Sequence, residues 1–221
     1  MSWHYVDTAS QVWTHVASQS NQLQIDNATE MWNYFRSLNY SEQATAAIMG
    51  NAQHESALNP AQWQYGGYVG DMQDGYGLFQ WDDASRYITV YCGHYGYDRT
   101  NGYYQCEWVE TQTIGGLEGN QWIPKPGVNP SSWDDFKIST MSPADLAYTF
   151  CRNWERGNWE QRRADNAQYW YQYFTGTPPA PPTPTPGDDS YAAWFGVFKM
   201  LKKRRTQIFI YTKRKGGGLF R

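Results

Sequence analysis

The sequence is short of charge, of cysteine and of long apolar runs. Only 18% of its 221 residues are Asp, Glu, Lys or Arg. Mean hydropathy is -0.78, and no hydrophobic stretch approaches the roughly 20 residues of a membrane-spanning helix. An integral membrane protein is therefore not expected. The first residues, MSWHYVDTAS, have no basic start and no apolar core, so no signal peptide is expected either. Cysteine occurs three times, at Cys92, Cys106 and Cys151. An odd number at this density excludes a disulfide scaffold. A Cys92–Cys106 pair across a loop stays open, against a reducing compartment during synthesis. There is no internal repeat.

Aromatic residues are abundant. They make up 18% of the chain, with 12 Trp and 18 Tyr. Disordered chains are poor in aromatics, so wholesale disorder is excluded. The net charge of -3 conceals an asymmetry. Residues 1–176 carry 9 Lys/Arg against 19 Asp/Glu, a balance of -10, and residues 177–221 carry 9 against 2, a balance of +7. The acidic body is a poor surface for nucleic acid, whose phosphates need a basic face. The basic tail can meet nucleic acid, an anionic membrane or an acidic partner.

Hydrophobic periodicity predicts a mainly α body. Residues 1–25 are an N-terminal extension, with room for a short helix around Val12, Trp13 and Val16. Asn27, three residues before Glu30, has capping-box spacing and opens a helix through Met31, Trp32, Phe35 and Leu38. Ser41 caps a second helix, SEQATAAIMGNAQHES, which must end before Pro60. Residues 56–81 read as an ordered loop region with a small hairpin. A third helix runs through Ala84, Tyr87, Ile88 and Tyr91, a fourth over residues 104–113. Ser142-Pro143 is a cap followed by Pro at the first helical position, and a last helix spans residues 158–174. Residues 175–187, TGTPPAPPTPTPG, hold six prolines and form an extended, semi-rigid linker. The domain plan is thus 1–25 extension, 26–174 body, 175–189 linker and 190–221 basic tail.

The chemistry concentrates between Gly50 and Arg86, GNAQHESALNPAQWQYGGYVGDMQDGYGLFQWDDASR. Glu55 falls on the buried face of the second helix, seven residues after Ile48 and three after Ala52. It also sits in the last turn, where the helix dipole disfavours an anion. Burial adds to that penalty. Both raise its pKa, as a general acid near neutral pH requires. A helix-end Glu bonded to neighbouring backbone is the plainer alternative.

A second motif follows: Asp71-x-x-x-Gly75-Tyr76-Gly77-Leu78-Phe79-Gln80-Trp81-Asp82. Its glycines open backbone shapes closed to other residues and let a ligand approach the main chain. Tyr76 and Trp81 offer flat faces for sugar rings, and Gln80 can donate and accept hydrogen bonds. An acid plus a second carboxylate holding a water is the minimum for inverting glycoside hydrolysis. Asp71 and Asp82 are the candidates for that carboxylate, with Asp74 a rival. A plain Gly-Tyr turn with solvated aspartates is the alternative.

Glu-Ser at a helix end followed by Asp-x-x-x-Gly-aromatic-Gly-Leu-x-Gln-x-Asp resembles goose-type lysozymes and soluble lytic transglycosylases. The wording GNAQHES…NP…GYGLFQW…R is closer still to the phage tail lysozyme family. The run FCRNWERGNWEQRRADNAQYWYQYF resembles that family's closing segment. The resemblance covers residues 27–174 and implies a lysozyme-like, mainly α domain without metal or other cofactor, with a small irregular or hairpin region at its cleft. It implies peptidoglycan as substrate, Glu55 as general acid, and Asp71 and Asp82 as the aspartates that position water. It implies Tyr76, Gln80 and Trp81 as the cleft wall, and Tyr148 as the tyrosine facing the acid. The Glu55–Asp71 spacing is longer than in goose-type enzymes.

The implied activity is a muramidase of a phage virion that helps the tail penetrate the host wall. The basic tail would then dock to virion proteins, with membrane or DNA contact as other uses and no nucleic acid at the catalytic domain. A lytic transglycosylase of the same fold, and a structural tail or glycan-binding protein without activity, are the alternatives. Cys92-Gly93-His94 with Cys151 offers a cysteine peptidase no sequence context. His54, Cys92, His94 and Cys106 fit no zinc spacing.

Overall fold

A computed structural model describes residues 3–111, 113–114 and 118–176. The linker beyond Gly176 and the basic tail lie outside the described residues. The domain is mainly helical, as the periodicity predicts. Its elements are α1 (Gln22–Ser37), α2 (Glu42–Ser56), a π-helical stretch Arg86–Cys92 that runs into α3 (Gly93–Tyr95), and α4 (Gly102–Thr111). A small antiparallel hairpin, β1 (Thr113–Ile114) and β2 (Glu118–Asn120), follows. Then come α5 (Trp133–Ile138), α6 (Pro143–Phe150), a second π-helical stretch Cys151–Glu155 and α7 (Gln161–Thr175).

Helix α2 is the axis of the core. Ser41 caps it by accepting from Ala44 N–H, with Glu42 in the first turn where the dipole favours an anion. Residues 44–53 are all buried. A helix apolar and small on every side belongs in the middle of a domain, and α7, α6, α1 and α5 pack around it. The closest approach is at Gly50. A Cβ there would lie 2.5 Å from Ala167 N and Arg163 O, far inside contact distance, so glycine lets the α7 backbone seat against α2.

Other starts also match. Ser142 caps α6, with Pro143 in its first turn. Helix α7 ends at Thr175 with Gly176 left-handed, beside the expected domain end. The start of α1 is different from the expectation. Asn21, not Asn27, is its cap and accepts from Leu23 N–H. Asn27 is buried inside the helix. Its amide accepts from His4 N–H at 2.8 Å and donates to the carbonyls of His4 and Leu58 at 2.7 and 2.8 Å.

Those bonds show why residues 3–18 are not a loose extension. No helix forms around Val12–Trp13–Val16. The segment is a strap instead. Thr8 bridges Gln62 in parallel. Asp7 accepts from Trp63 Nε1 and pairs with Arg99, both at 2.7 Å. Ala17 N–H donates to Asn166 Oδ1 at 2.9 Å. In the region 56–81 the small hairpin is reduced to single antiparallel bridges, Trp63–Tyr76 and Tyr76–Trp81. All three cysteines are free and buried, so Cys92 and Cys106 do not pair.

Candidate active site

Glu55 stands in the last turn of α2, where sequence periodicity puts it. The next residue, Ser56, is fully buried. Its hydroxyl lies 3.1 Å from Ala52 O and 3.0 Å from Leu78 O. The Glu-Ser pair therefore ties the helix end to the Gly-Tyr-Gly-Leu turn. That turn closes as Tyr76 and Trp81 exchange backbone bonds of 3.3 and 3.0 Å. Gly77 needs no side chain for two reasons: its φ is +81°, and a Cβ would lie 2.7 Å from Gln105 Oε1.

Arg163, from the first turns of α7, forms the centre of the site. Its guanidinium is almost wholly buried. One nitrogen, Nη2, donates to Glu55. The other, Nη1, donates to Glu155 Oε2 at 2.6 Å and to Asn51 Oδ1 at 3.0 Å. Glu155 comes from the second π-helical stretch, and its side chain is 6% exposed against 21% for Glu55. Two carboxyls thus share one guanidinium.

Burial pushes the Glu55 carboxyl up. Arg163 and His15 pull it back, Asp82 adds to the rise, and the net shift is upward. Burial pushes Glu155 up more strongly, to about 8, against the pull of Arg163 and with help from the Glu55 charge. Burial opposes the Arg163 charge, but the two carboxylates outweigh it and keep the guanidinium protonated. His54, next to Glu55, is lowered to about 3 by burial and by Arg163, Arg162 and His15, so it is neutral at neutral pH.

A cavity of about 310 Å³ opens beside this cluster. Phe79, Trp81, Trp108 and Trp154 form its apolar wall. Gln80, Asp82, Glu155, Arg86 and Arg156 supply its polar side. Glu55 does not line it; Glu155 does, and Arg163 joins the two carboxyls. The indole nitrogens of Trp108 and Trp154 and the Oε1 of Glu155 are buried without a partner among the described residues. Buried polar atoms are ordinarily paired, so these three carry a desolvation cost at the edge of the cavity.

The residues singled out from sequence separate into two sets. Asp82 is exposed, lines the cavity and acts on the Glu55 charge. Gln80 and Trp81 line it too. Gln80 is left-handed, with φ 48°, and its amide is committed to Gln62 O and Gly77 O at 2.9 and 3.1 Å. Trp81 is 8% exposed, with its ring packed on Tyr87 and Trp108. Tyr76 departs from the expectation. It is fully buried, packed on Trp63 and Tyr87, and its hydroxyl accepts from Arg99 at 2.7 Å. Its ring serves the core and presents no face to a sugar.

Asp71 is outside the cavity and accepts from Gln73 N–H at 3.0 Å within its own turn. Tyr148 lies exposed on α6, edge-on to Trp159 at 5.2 Å, and does not line the cavity. Burial pushes the Cys92 and Cys151 thiols to about 11 and 12, which disfavours a thiolate nucleophile. Among the described residues no group of three His, Cys, Asp or Glu is placed to hold a metal ion.

Sequence reasoning missed Arg163, Glu155 and Gln105. A signal for Arg163 was present. It lies four residues before Ala167 and seven before Trp170 on α7, so helical spacing puts it on the buried face. A charge on a buried face requires a partner. The partners, Glu55 and Glu155, are 108 and 8 residues away.

A family model described as phage tail lysozyme matches residues 26–174. Morphogenesis protein 1 of Bacillus phage B103 is 30% identical over 152 residues, which is 68% of this chain. That stretch is 40% of the phage protein's own length.

Proposed function

We propose that this chain, which belongs to the phage tail lysozyme family, is a glycosidase that cuts the peptidoglycan backbone. The bond is the β-1,4 link between N-acetylmuramic acid and N-acetylglucosamine. One observation carries the reading: the Glu55 carboxyl, buried at a helix end, is raised by burial despite its Arg163 partner. An upward-shifted carboxyl at a helix end, joined through Arg163 to a cavity-lining carboxyl, suits the part of a general acid. Glu55 gives its proton to the glycosidic oxygen as the C1–O bond breaks. A water bonds to C1 and yields its proton to Asp82, which lies at the cavity. Arg163 stabilises the carboxylate that Glu55 becomes; Asp82 then passes its proton to solvent, and a solvent proton restores the Glu55 acid.

The phage relative's name and the family's description support a place in a virion, where the domain would open the host wall for the tail. The basic segment 190–221 would dock it there through the Pro-rich linker. Deleting residues 188–221 is expected to prevent incorporation into assembled virions, and unchanged incorporation would remove that role.

The decisive experiment digests purified peptidoglycan with the full chain, wild type beside Glu55→Gln, with mass spectrometry of the fragments. Reducing-end muropeptides that fall by at least about 100-fold in the variant are expected. Anhydro-muropeptides would keep the site but make the reaction a transglycosylation. Silence from both folded proteins would leave a structural or glycan-binding protein.

A further inference from the structure

The cluster behind Glu55 contains one more carboxyl than its guanidinium can neutralise. Arg163 brings one positive charge to two buried carboxyls, Glu55 through Nη2 and Glu155 through Nη1. Asn51 holds the same nitrogen as Glu155 and fixes the fork. Glu155 Oε1 has no partner among the described residues. A buried, unpaired carboxylate oxygen is costly. The stable population of the cluster is therefore one carboxylate, one carboxylic acid and one guanidinium. Because Arg163 touches both carboxyls, either can take the part of the carboxylate.

We propose that Glu155 is a positioning residue for Glu55, acting through Arg163: it is the alternate counter-ion that keeps the guanidinium neutralised while Glu55 carries its proton. Without Glu155, Arg163 has Glu55 alone as charged partner and holds it as a carboxylate, which cannot donate. With Glu155 present, the proton can sit on Glu55 while Arg163 keeps a charged partner. When Glu55 gives the proton away, Arg163 is already in contact with the charge that forms. The upward shifts of both carboxyls agree with one proton held by the pair.

Other charged groups around the pair do not replace Glu155. His15 from the strap and Asp82 from the turn act on Glu55 from a distance. Cys151 faces the pair with its thiol pushed up and neutral. Arg152 acts on Cys151 from the same stretch. His54 is neutral, and Arg162 acts on it from α7. Arg86 and Arg156 lie on the cavity side. None of these makes a hydrogen bond to Arg163.

This inference rests on the reading of Glu55 as the acid, and the test separates the two. The full chain is compared as wild type, Glu155→Gln and Glu155→Asp, with the pH profile of peptidoglycan cleavage and carbon-13 NMR titration of the Glu55 carboxyl. Thermal melts check folding. Glu155→Gln is expected to lose at least about 10-fold in activity at neutral pH, and to recover on acidification. Its Glu55 titration is expected to move down by about one unit or more. Glu155→Asp keeps the charge and the fold, and should move Glu55 in the same direction by less.

An unchanged Glu55 titration in both variants would overturn the proposal, as would an activity loss uniform across pH, the mark of a merely structural role. If wild type and Glu55→Gln cleave alike, the acid reading fails. The NMR titration still decides whether Glu155 governs the Glu55 proton.

Discussion

The helix pair α2–α7 and the loop segment 57–84 meet at one site but are held by different means. Helices satisfy their own backbones, so α2 and α7 need only come close. Small residues allow that: Gly50 and Ala167 touch, and Arg163 arrives beside Glu55 as a consequence. The loop has only isolated bridges and turns to pair its carbonyls and N–H groups, so amide side chains complete the pairing. Gln105 of α4 donates to Pro60 O and Arg99 O at 2.7 and 2.9 Å and accepts from Leu78 N–H at 2.7 Å. Gln62 donates to Thr8 O and Trp63 O, and Asn59 exchanges bonds with the Val6 backbone. Gln105, Gln62 and Asn59 thus serve buried backbone that must be paired. One wall of the site depends on the absence of side chains, the other on their presence.

Breaking the helix wall should have the largest effect. Gly50→Val puts methyl groups into the Ala167 and Arg163 backbone and is expected to cost about 3 kcal/mol or more. Urea denaturation reads that loss, and activity should fall with it because Arg163 moves. Breaking the loop wall should cost less. Gln105→Ala leaves Pro60 O, Arg99 O and Leu78 N–H without this partner and is expected to cost about 2 kcal/mol. Its loss should appear as faster hydrogen exchange in residues 57–84 while α2 and α7 stay protected.

A pH effect is expected as well, and it falls on the helix wall. Burial raises the Glu155 carboxyl to about 8 from an ordinary 4.5, and the Glu55–Glu155 pair holds one proton across that window. The native state thus binds more protons than the unfolded chain across that window. Stability is fully present below it and declines as pH rises through it. Denaturation series at about pH 5 and about pH 8 should show the decline, and Glu155→Gln should flatten it. The smallest effect is expected at Asp71, which stands outside the cavity. Asp71→Ala should leave peptidoglycan cleavage within about twofold, as surface changes away from a site usually do. A larger fall would return Asp71 to the water-positioning role that the resemblance implies.

Local signals were legible wherever the deciding atoms are close in sequence. Ser41 and Ser142 cap the helices that follow them because a cap bonds within three residues. Asn27 has the same local pattern but spends its amide on His4 and Leu58, 23 and 31 residues away. Tyr76 reads as a sugar platform between two glycines. In the fold the turn rotates its ring inward, where Trp63, Tyr87 and Arg99 surround it. The site shows the same division. Glu55 follows from helical periodicity, whereas its Arg163 fork needs α7 to be laid on α2.

By itself the sequence determined the mainly helical class, the Ser41-capped second helix that holds Glu55 in its last turn, the Ser142-Pro143 helix start, and the Glu-Ser and Gly-Tyr-Gly-Leu-Phe-Gln-Trp motifs. Each depends on propensity, capping or periodicity, which act over a few residues. Only the tertiary structure decided that residues 3–18 are a strap, that Tyr76 belongs to the core, that Asp82 and not Asp71 reaches the cavity, and that two carboxyls share Arg163. These depend on packing and charge between segments as far as 151 residues apart. Desolvation and ion pairing are set by what surrounds a group in space, so no local pattern encodes them.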